Sequence, residues 1–219
     1  DLYLRAKRRI PGGTQLLSKR PERFLPDNWP AYYRRAHGCT VWDLDDRAYT
    51  DFTSCGIGCC LLGYADATVN AAVIDRIAHG SMCTLNSPDE VALADRLCEI
   101  HPWAEKVRYA RAGGEAMAIA VRLARASTGR DTIAFCGYHG WADWYLAANL
   151  GEATALNGHL LPGLEPAGVP AALHGTALPF RYNQIADLEA IVATRRGDLA
   201  AIVMEPMRHD RPRHGFLEK

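Results

Sequence analysis

The feature that most constrains the fold of this chain is a change of sequence pattern after residue 106, where short apolar segments begin to alternate with helical segments. Strands are expected at 107–110, 132–136 and 200–205, and helices at 115–127 and 184–195. Such alternation favours an α/β fold with a mostly parallel sheet covered by helices. The stretch 151–179 is polar and rich in Gly and Pro, and its length indicates a functional loop or an insertion.

The first part of the chain has a different pattern. Residues 1–38 are rich in Arg, Pro and aromatic residues, which is typical of an arm that lies on another surface. The segment TVWDLDDRAYTDF at 40–52 predicts a β-hairpin with one buried face, turning at DDR. Helices are expected at 66–79 and 87–100, the first with an apolar stripe of Val69, Val73, Ile74 and Ile77. We therefore predict an arm, hairpin and helix at 1–80 and the first part of a larger α/β domain at 81–219.

The composition excludes several classes of protein. The 219 residues include 25 Lys and Arg against 25 Asp and Glu, so no net charge attracts the chain to nucleic acid or to a membrane surface. The longest apolar runs are far shorter than the roughly 20 residues that cross a bilayer, and no charged-then-apolar leader follows Asp1. Seven cysteines, an odd number without a C-x-x-C pair, indicate reduced and mostly buried thiols in a soluble cytoplasmic protein without a metal site.

The strongest local signal is a glycine pair that leads directly into a helix. Gly113 and Gly114 let the backbone approach a ligand closely, and the first amides of a helix attract an anion. The pair lies in neither a P-loop nor a G-x-G-x-x-G motif. The turn is therefore either a phosphate seat or a plain tight turn.

Two further groups follow predicted strands. Tyr138 and His139, with Trp141 and Trp144 nearby, come after 132–136, and Glu205 ends the strand at 200–205. Ligands of open α/β sheets bind at the carboxyl ends of the strands, where an aromatic side chain can stack on a flat ring. Taken singly, the aromatic residues could equally close the core and the carboxylate could be solvated. Together with the glycine pair they suggest a site for a phosphorylated aromatic cofactor.

The same segments carry a resemblance. The order WDLDDRAYTDF, LLGY, GGEAMAIAVRLARASTGR, GYHGWADWY and IVMEP with GFLE resembles the front half of class III (fold type I) pyridoxal-phosphate-dependent aminotransferases, in particular the glutamate-1-semialdehyde aminomutase branch. The resemblance implies the aspartate aminotransferase-like fold, pyridoxal 5′-phosphate as cofactor, transfer of an amino group between an amine and an aldehyde or ketone, and a homodimer. The versions GGEA and YHGWADW are similar to a subgroup associated with amino-sugar and surface-polysaccharide pathways.

The resemblance also assigns cofactor-binding residues. Gly113 and Gly114 would hold the phosphate, in a segment where the family usually reads NSGTEA and residues 111–116 read RAGGEA. With the Ser and Thr hydroxyls gone, the phosphate would rest on backbone amides, and on Arg111 if that side chain points inward. Tyr138 would stack on the pyridine ring with His139 beside it.

Three further positions are assigned in the same way. Glu205 would lie near the phenolic oxygen of the ring, and Asp210 stands where the aminomutase often has Asn. Ile57 stands about where aminomutases place a tryptophan over the substrate, which argues against glutamate-1-semialdehyde itself.

No lysine is suitably placed to form the Schiff base that this chemistry needs. The four lysines are Lys7, Lys19, Lys106 and Lys219, and none follows a predicted strand. The resemblance places the pyridine-binding Asp and the Schiff-base Lys beyond Lys219. We therefore expect the chain to be the front part of a longer enzyme and to be inactive alone. The alternative is a non-catalytic pseudoenzyme or assembly module of the same fold, and a nucleotide-phosphate enzyme ranks last because no Walker lysine is present.

Overall fold

The computed structural model describes residues 2–53, 55–159, 162–207 and 210–218. They form two compact units, Asp1–Glu90 and Val91–Lys219. The predicted assignment of 1–80 to an arm, hairpin and helix and of 81–219 to part of a larger domain stays a prediction.

The first unit contains a small antiparallel sheet and short helices. Its helices and strands are α1 (Leu2–Lys7), β1 (Tyr33–His37), β2 (Thr40–Asp43), β3 (Ala48–Thr50) and α2 (Ala67–Ala78), with 3₁₀ turns at Leu17–Lys19 and Pro21–Arg23. Helix α3 (Pro88–Ile100) begins at the end of this unit and continues into the second. The predicted helices at 66–79 and 87–100 are both confirmed.

The predicted hairpin is present, but its buried face is not. Strands pair in the order β1-β2-β3, and β1 was not predicted. All of β3 is exposed, whereas Asp43 at the turn is buried. One carboxylate oxygen of Asp43 accepts hydrogen bonds of 2.9 Å from the backbone amides of Asp45 and Arg47, and the other accepts one of 3.0 Å from the Tyr49 hydroxyl. The hairpin is thus fixed by a buried carboxylate in its turn and not by an apolar face.

Helix α2 begins where its capping residue allows. The Asp66 side chain accepts a hydrogen bond of 2.9 Å from the Val69 amide, which satisfies one of the first unpaired donors of the helix. Gly80 follows the helix with φ +92°, a conformation that favours glycine. The predicted apolar stripe faces outward, since Val69, Val73, Ile74 and Ile77 are exposed.

The second unit contains a parallel sheet. After α3 it comprises α4 (Gly113–Thr128), β4 (Thr132–Cys136), α5 (Asp143–Leu146), β5 (Ala177–Pro179), α6 (Ile185–Arg195) and β6 (Leu199–Met204), with 3₁₀ turns at Ala147–Leu150 and Ala171–Leu173. The strand order is β5-β4-β6, and both pairs are parallel. The predicted α/β class with flanking helices is confirmed.

Strand β4 is the centre of this sheet. All five of its residues are buried, and Phe135 packs against Trp144 and Tyr145, which come from the helix that follows. Its position explains why 132–136 was predicted correctly: a strand buried on both faces is a continuous apolar run. Strand β5 was not predicted, because three residues that end in proline give no readable period.

The predicted strand at 107–110 is wrong. These residues form no ladder with any part of the chain that the structure describes, and 108–110 are exposed. A strand needs a partner for its amides and carbonyls, and none of the described strands, in the order β5-β4-β6, pairs with these residues. The apolar pattern of this segment is therefore insufficient to make it a strand here.

The prediction that most thiols are buried is also wrong. Cys136 is buried in β4, whereas Cys39, Cys59 and Cys83 are exposed and the other three are half-buried. The exposed thiols lie in turns or beside short strands, where no core covers them. Among the residues that the structure describes, no three His, Cys, Asp or Glu side chains are grouped to hold a metal ion.

None of the helices in the described ranges has both the length and the apolar character needed to span a bilayer.

We expect Asp198→Asn to make the stability of the fold less sensitive to acid. The Asp198 carboxylate accepts hydrogen bonds from the Thr132 hydroxyl and, at 3.1 Å, from the Asp131 amide, and these bonds lower the pKa of Asp198. The pKa of Asp198 in the unfolded chain is about 3.9, so its stabilisation is complete above that value and is lost as pH falls through the lower folded pKa. Urea unfolding between about pH 5 and pH 2 should show a steeper loss for the wild type.

Asp131→Asn is the matched control, because it removes the neighbouring carboxyl and keeps the amide that binds Asp198. Equal slopes for the wild type and Asp198→Asn would contradict the assignment.

Candidate functional site

The candidate site lies where β4 and β6 end side by side. Cys136 and Met204 are paired as the last residues of their strands, so Gly137 and Glu205 leave the sheet together. Gly137 has φ +102°, and a Cβ built there would lie 3.6 Å from Oε2 of Glu205. The predicted placement of the aromatic loop and the carboxylate at one edge is therefore what the structure has.

Helix α4 opens with the glycine pair. Ala112 is extended, and Gly113 is the first helical residue. The first amides of any helix have no carbonyl partner within it. The Glu115 carboxylate turns back and accepts a hydrogen bond of 2.8 Å from the Arg111 amide. A Cβ built on Gly113 would meet no atom within 4 Å, so a ligand has room to approach this turn. The Arg111 side chain is exposed.

A contact between two glycines joins the helix start to the loop after β4. Gly140 has φ +95°, and a Cβ built on it would lie only 2.9 Å from the Cα of Gly114. No side chain can be placed at Gly140 without moving one of the two backbones. The loop that carries Tyr138 and His139 is thus held directly against the glycine pair. Sequence reasoning singled out both segments but missed Gly140, whose signal is the second glycine of GYHG.

Tyr138 lies at the border between the core and this edge. It is half-buried, and its ring meets that of Tyr145 edge-on with centroids 5.7 Å apart. Burial raises the pKa of the Tyr138 phenol. The ring therefore stays neutral and protonated at physiological pH, as a stacking surface beside an anion should.

His139 points into the protein. It is buried, its ring lies near Phe135, Trp144 and Tyr145, and its Nε2 is 2.8 Å from the Cys136 carbonyl oxygen. A carbonyl oxygen can only accept, so Nε2 carries the hydrogen and donates. The described geometry makes His139 a residue that holds the loop, and its predicted contact with a cofactor stays a prediction.

Two residues of the site were missed by sequence reasoning. The Tyr145 hydroxyl donates to the Gly137 carbonyl at 3.1 Å, and the Gly137 amide donates to Nδ1 of His159 at 3.0 Å. Tyr145 sits in an apolar helical segment, which indicated only core. His159 comes from the stretch 151–179, and no periodicity relates it to Gly137, which lies 22 residues earlier.

The remaining predicted residues are not placed at this edge by the described contacts. Asp210 is exposed in a bend. Ile57 belongs to the first unit, where it is exposed with φ +63°. Lys7 pairs with Glu22 at 2.5 Å, Lys106 precedes the extended segment 107–110, and Lys219, like His209, falls outside the described residues.

An open groove of about 760 Å³ runs along α4, away from these groups. It is lined by Val121, Arg122 and Arg125 of α4, by Trp144 of α5 and by Leu173, among others. None of the predicted cofactor-binding residues lines it, so this groove is not the candidate site.

Three groups at this edge of the sheet have complementary binding properties. Gly113 and Gly114 offer backbone amides at the positive end of a helix, Tyr138 offers a neutral ring, and Glu205 offers a carboxylate. An anion can bind at the first, a flat ring can stack on the second, and a proton or hydrogen-bond donor can be held by the third. A phosphorylated heteroaromatic ring matches all three.

Comparison with known proteins gives a family match and several similar relatives. A family model described as aminotransferase class-III matches residues 25–210. The chain is 31% identical to a 3-aminobutyryl-CoA aminotransferase of Cloacimonas acidaminovorans and 36% identical to a glutamate-1-semialdehyde 2,1-aminomutase of Syntrophomonas wolfei, in each case over 100% of this chain and 50% of the relative.

A solved structure is similar over the same extent. An omega-transaminase from Sphaerobacter thermophilus matches with a TM-score of 0.82 and 29% identity, over 100% of this chain and 50% of that one. The chain thus spans about half the length of the curated relatives it matches.

We expect Gly140→Ala to destabilise the protein by about 2 kcal/mol, because a side chain at positive φ is strained and its Cβ meets the Gly114 backbone. The amide NMR signals of Gly113 and Gly114 should shift as the loop moves off the helix start. Gly158→Ala serves as control, since a Cβ there meets nothing within 4 Å. If both variants unfold at the same urea concentration and leave the Gly114 signal in place, the contact is unimportant.

Proposed function

This chain belongs to the class III aminotransferase family, and on that premise we propose that it carries the phosphate-binding and ring-binding part of a pyridoxal 5′-phosphate site. The observation that carries the proposal is the contact between Gly140 and Gly114, because it holds the Tyr138 loop against the glycine pair. A phosphate and an aromatic ring of one molecule can then be bound a short distance apart.

The residues present fit this cofactor. The amides of Gly113 and Gly114 would hold the phosphate, because the backbone there is open to a ligand. Tyr138 would provide a stacking surface for the pyridine ring, and burial raises the pKa of its phenol, which stays uncharged. Glu205 lies at the same edge, and its carboxylate would accept a hydrogen bond from the hydroxyl on the ring. The family resemblance adds Asp210, which the described contacts do not place at this edge.

The reaction of the whole protein is the movement of an amino group. When bound, the cofactor supplies an electron-withdrawing ring that stabilises negative charge on the substrate carbon next to the amine. The residues of this chain bind and orient that ring. The lysine that bonds to the cofactor is not among the described residues at this edge, and we assign it, with the carboxylate that pairs with the pyridine nitrogen, to the part of the enzyme that this chain does not span.

The substrate is an aldehyde or ketone that accepts the amino group, either from another molecule or from a neighbouring carbon of its own. Ile57, in place of a tryptophan, supports a substrate other than glutamate-1-semialdehyde, and the motifs GGEA and YHGWADW support an amino-sugar or surface-polysaccharide pathway. The family resemblance supports a homodimer.

The rival proposal is a pseudoenzyme or assembly module that keeps the fold without the chemistry. A protein of that kind needs no cofactor site, so cofactor binding by the residues of this chain separates the two readings. Pyridoxamine 5′-phosphate is the suitable probe, because it has no aldehyde and forms no covalent adduct with the four lysines.

We expect Tyr138→Ala to weaken binding of pyridoxamine 5′-phosphate to the full chain about threefold to tenfold, because the stacking surface is lost. Calorimetric titration should show that Tyr138→Phe, which keeps the ring, binds almost as well as the wild type. Trp103→Ala removes an exposed aromatic side chain elsewhere and should have no effect. Equal affinity of Tyr138→Ala and wild type would make Tyr138 a core residue only, and absence of binding by the wild type would favour the rival proposal.

We also expect Gly114→Thr to tighten binding of the same probe about fivefold, because it restores a hydroxyl that can donate to the phosphate. There is room for the change, since a Cβ on Gly114 would lie 3.9 Å from the Cα of Gly140. Gly114→Val has the same shape without the hydroxyl and should not gain affinity. Pyridoxamine without its phosphate should bind all three proteins equally, and a gain with that compound too would show that the phosphate is not bound at this turn.

A further inference from the structure

We propose that His159 is the positioning residue of the Tyr138 loop, and that it holds the loop only while its imidazole is neutral. The inference rests on the proposed function, since Tyr138 matters as the ring that faces the cofactor. It assigns to the loop 151–179 a role in the site that its sequence did not reveal.

Three side chains bind the backbone of the turn after β4. Gly137, at φ +102°, takes the chain out of the ladder, and its amide and carbonyl then need other partners. The Gly137 amide is bound by His159 and the Gly137 carbonyl by Tyr145, and His139 donates to the carbonyl of Cys136, the last residue of the strand. These three side chains support the conformation that presents Tyr138.

The two histidines of this turn differ in their response to protonation. His139 donates from Nε2 to a carbonyl, and Nε2 carries a hydrogen in the imidazolium ion as well, so this bond survives protonation. His159 accepts at Nδ1 from an amide, which requires a lone pair on that nitrogen. Protonation of His159 would place two N–H groups face to face. Only the His159 bond is therefore sensitive to pH in the range where histidine titrates.

The described contacts of the His159 ring include the Phe135 ring of β4, with centroids 5.7 Å apart. Around the turn itself the titratable groups are the Glu205 carboxylate, the His139 imidazole, and the phenols of Tyr138 and Tyr145. Neither phenol changes its charge near neutral pH. Variants of His159 therefore separate its contribution from those of Glu205 and His139.

Loss of the His159 bond would release one side of the turn. Tyr138 directly follows Gly137, and Gly140, two residues further, rests on Gly114. A shift of the Gly137 peptide therefore moves the phenol relative to the phosphate turn. The predicted consequence is a cofactor site that loses affinity as His159 becomes protonated.

NMR of the isotope-labelled full chain tests the hydrogen bond without any cofactor. In the wild type, the Gly137 amide signal should move between about pH 8 and pH 5 together with the His159 ring signals, and the His159 Nδ1 signal at pH 8 should be that of an unprotonated nitrogen. His159→Asn keeps an acceptor, because its side-chain oxygen takes the place of Nδ1, and should preserve the amide position without the pH dependence. His159→Phe should shift the Gly137 amide at every pH.

Titration with pyridoxamine 5′-phosphate tests the consequence for the site. We expect wild-type affinity to fall about fivefold on acidification, His159→Asn to stay tight at both ends of the range, and His159→Phe to be about fivefold weaker throughout. Changes in the charge of the probe affect all variants alike and cancel in the ratios. His174→Phe is the control, because His174 is exposed in the same loop.

The inference is wrong if the Gly137 amide signal does not shift in His159→Phe. It is also wrong if the Gly137 amide signal of His159→Asn changes with pH as it does in the wild type. The same holds if the Phe variant binds the probe as tightly as the wild type while its Gly137 amide has moved. If neither the wild type nor any variant binds the probe while the Gly137 amide signal still follows His159, the proposed function is wrong. His159 would then position the loop without affecting a cofactor site.

Discussion

The site depends on one contact between two backbones, that of Gly140 with Gly114. Because Gly140 lacks a side chain, the loop after β4 can rest directly on the first turn of α4. A strand end and a helix start that are separate in sequence thereby become one surface, with helix amides on one side and a half-buried phenol on the other. The contact requires close packing of backbone and no specific side chain, so its only sequence requirement is glycine at position 140, where φ is +95°.

Around this close contact, backbone amides and carbonyls of the loop need hydrogen-bond partners. Those partners determine the conformation of the loop. The Gly137 peptide and the Cys136 carbonyl would be costly if buried without partners. Tyr145, His139 and His159 supply those partners, and the rings of all three lie around Phe135. The same side chains thus build the core and set the position of the functional loop. His159 differs from the other two because it accepts its bond, and this is the physical reason that it can act as a pH-dependent part of an otherwise constant structure.

The sequence predicted those parts of the fold that are determined locally. Strand β4 is a continuous apolar run, α2 has Asp66 as its cap, and α4 begins at a glycine pair, so each could be placed from neighbouring residues alone. The errors concern partners. Residues 107–110 have the composition of a strand but no ladder to join in the described chain, and β5 is too short to show a period. Likewise His159 enters the site through a tertiary hydrogen bond, and the exposure of Cys39, Cys59 and Cys83 depends on which surfaces cover them. The resemblance supplied the cofactor class, which local patterns left as a general phosphorylated ring.

The proposed cofactor contacts and the proposed substrate contacts of this chain differ in what they require of the sequence. A phosphate bound at a helix start rests on backbone amides and on the direction of the helix, and many side-chain replacements leave both intact. The segment RAGGEA lacks the hydroxyls of NSGTEA but still begins a helix at Gly113. Selection of a substrate needs particular side chains at particular positions. The relatives of 31% and 36% identity are named for different compounds, 3-aminobutyryl-CoA and glutamate-1-semialdehyde. A family relation at that level therefore carries the cofactor to this chain far more securely than it carries any one amine or carbonyl compound.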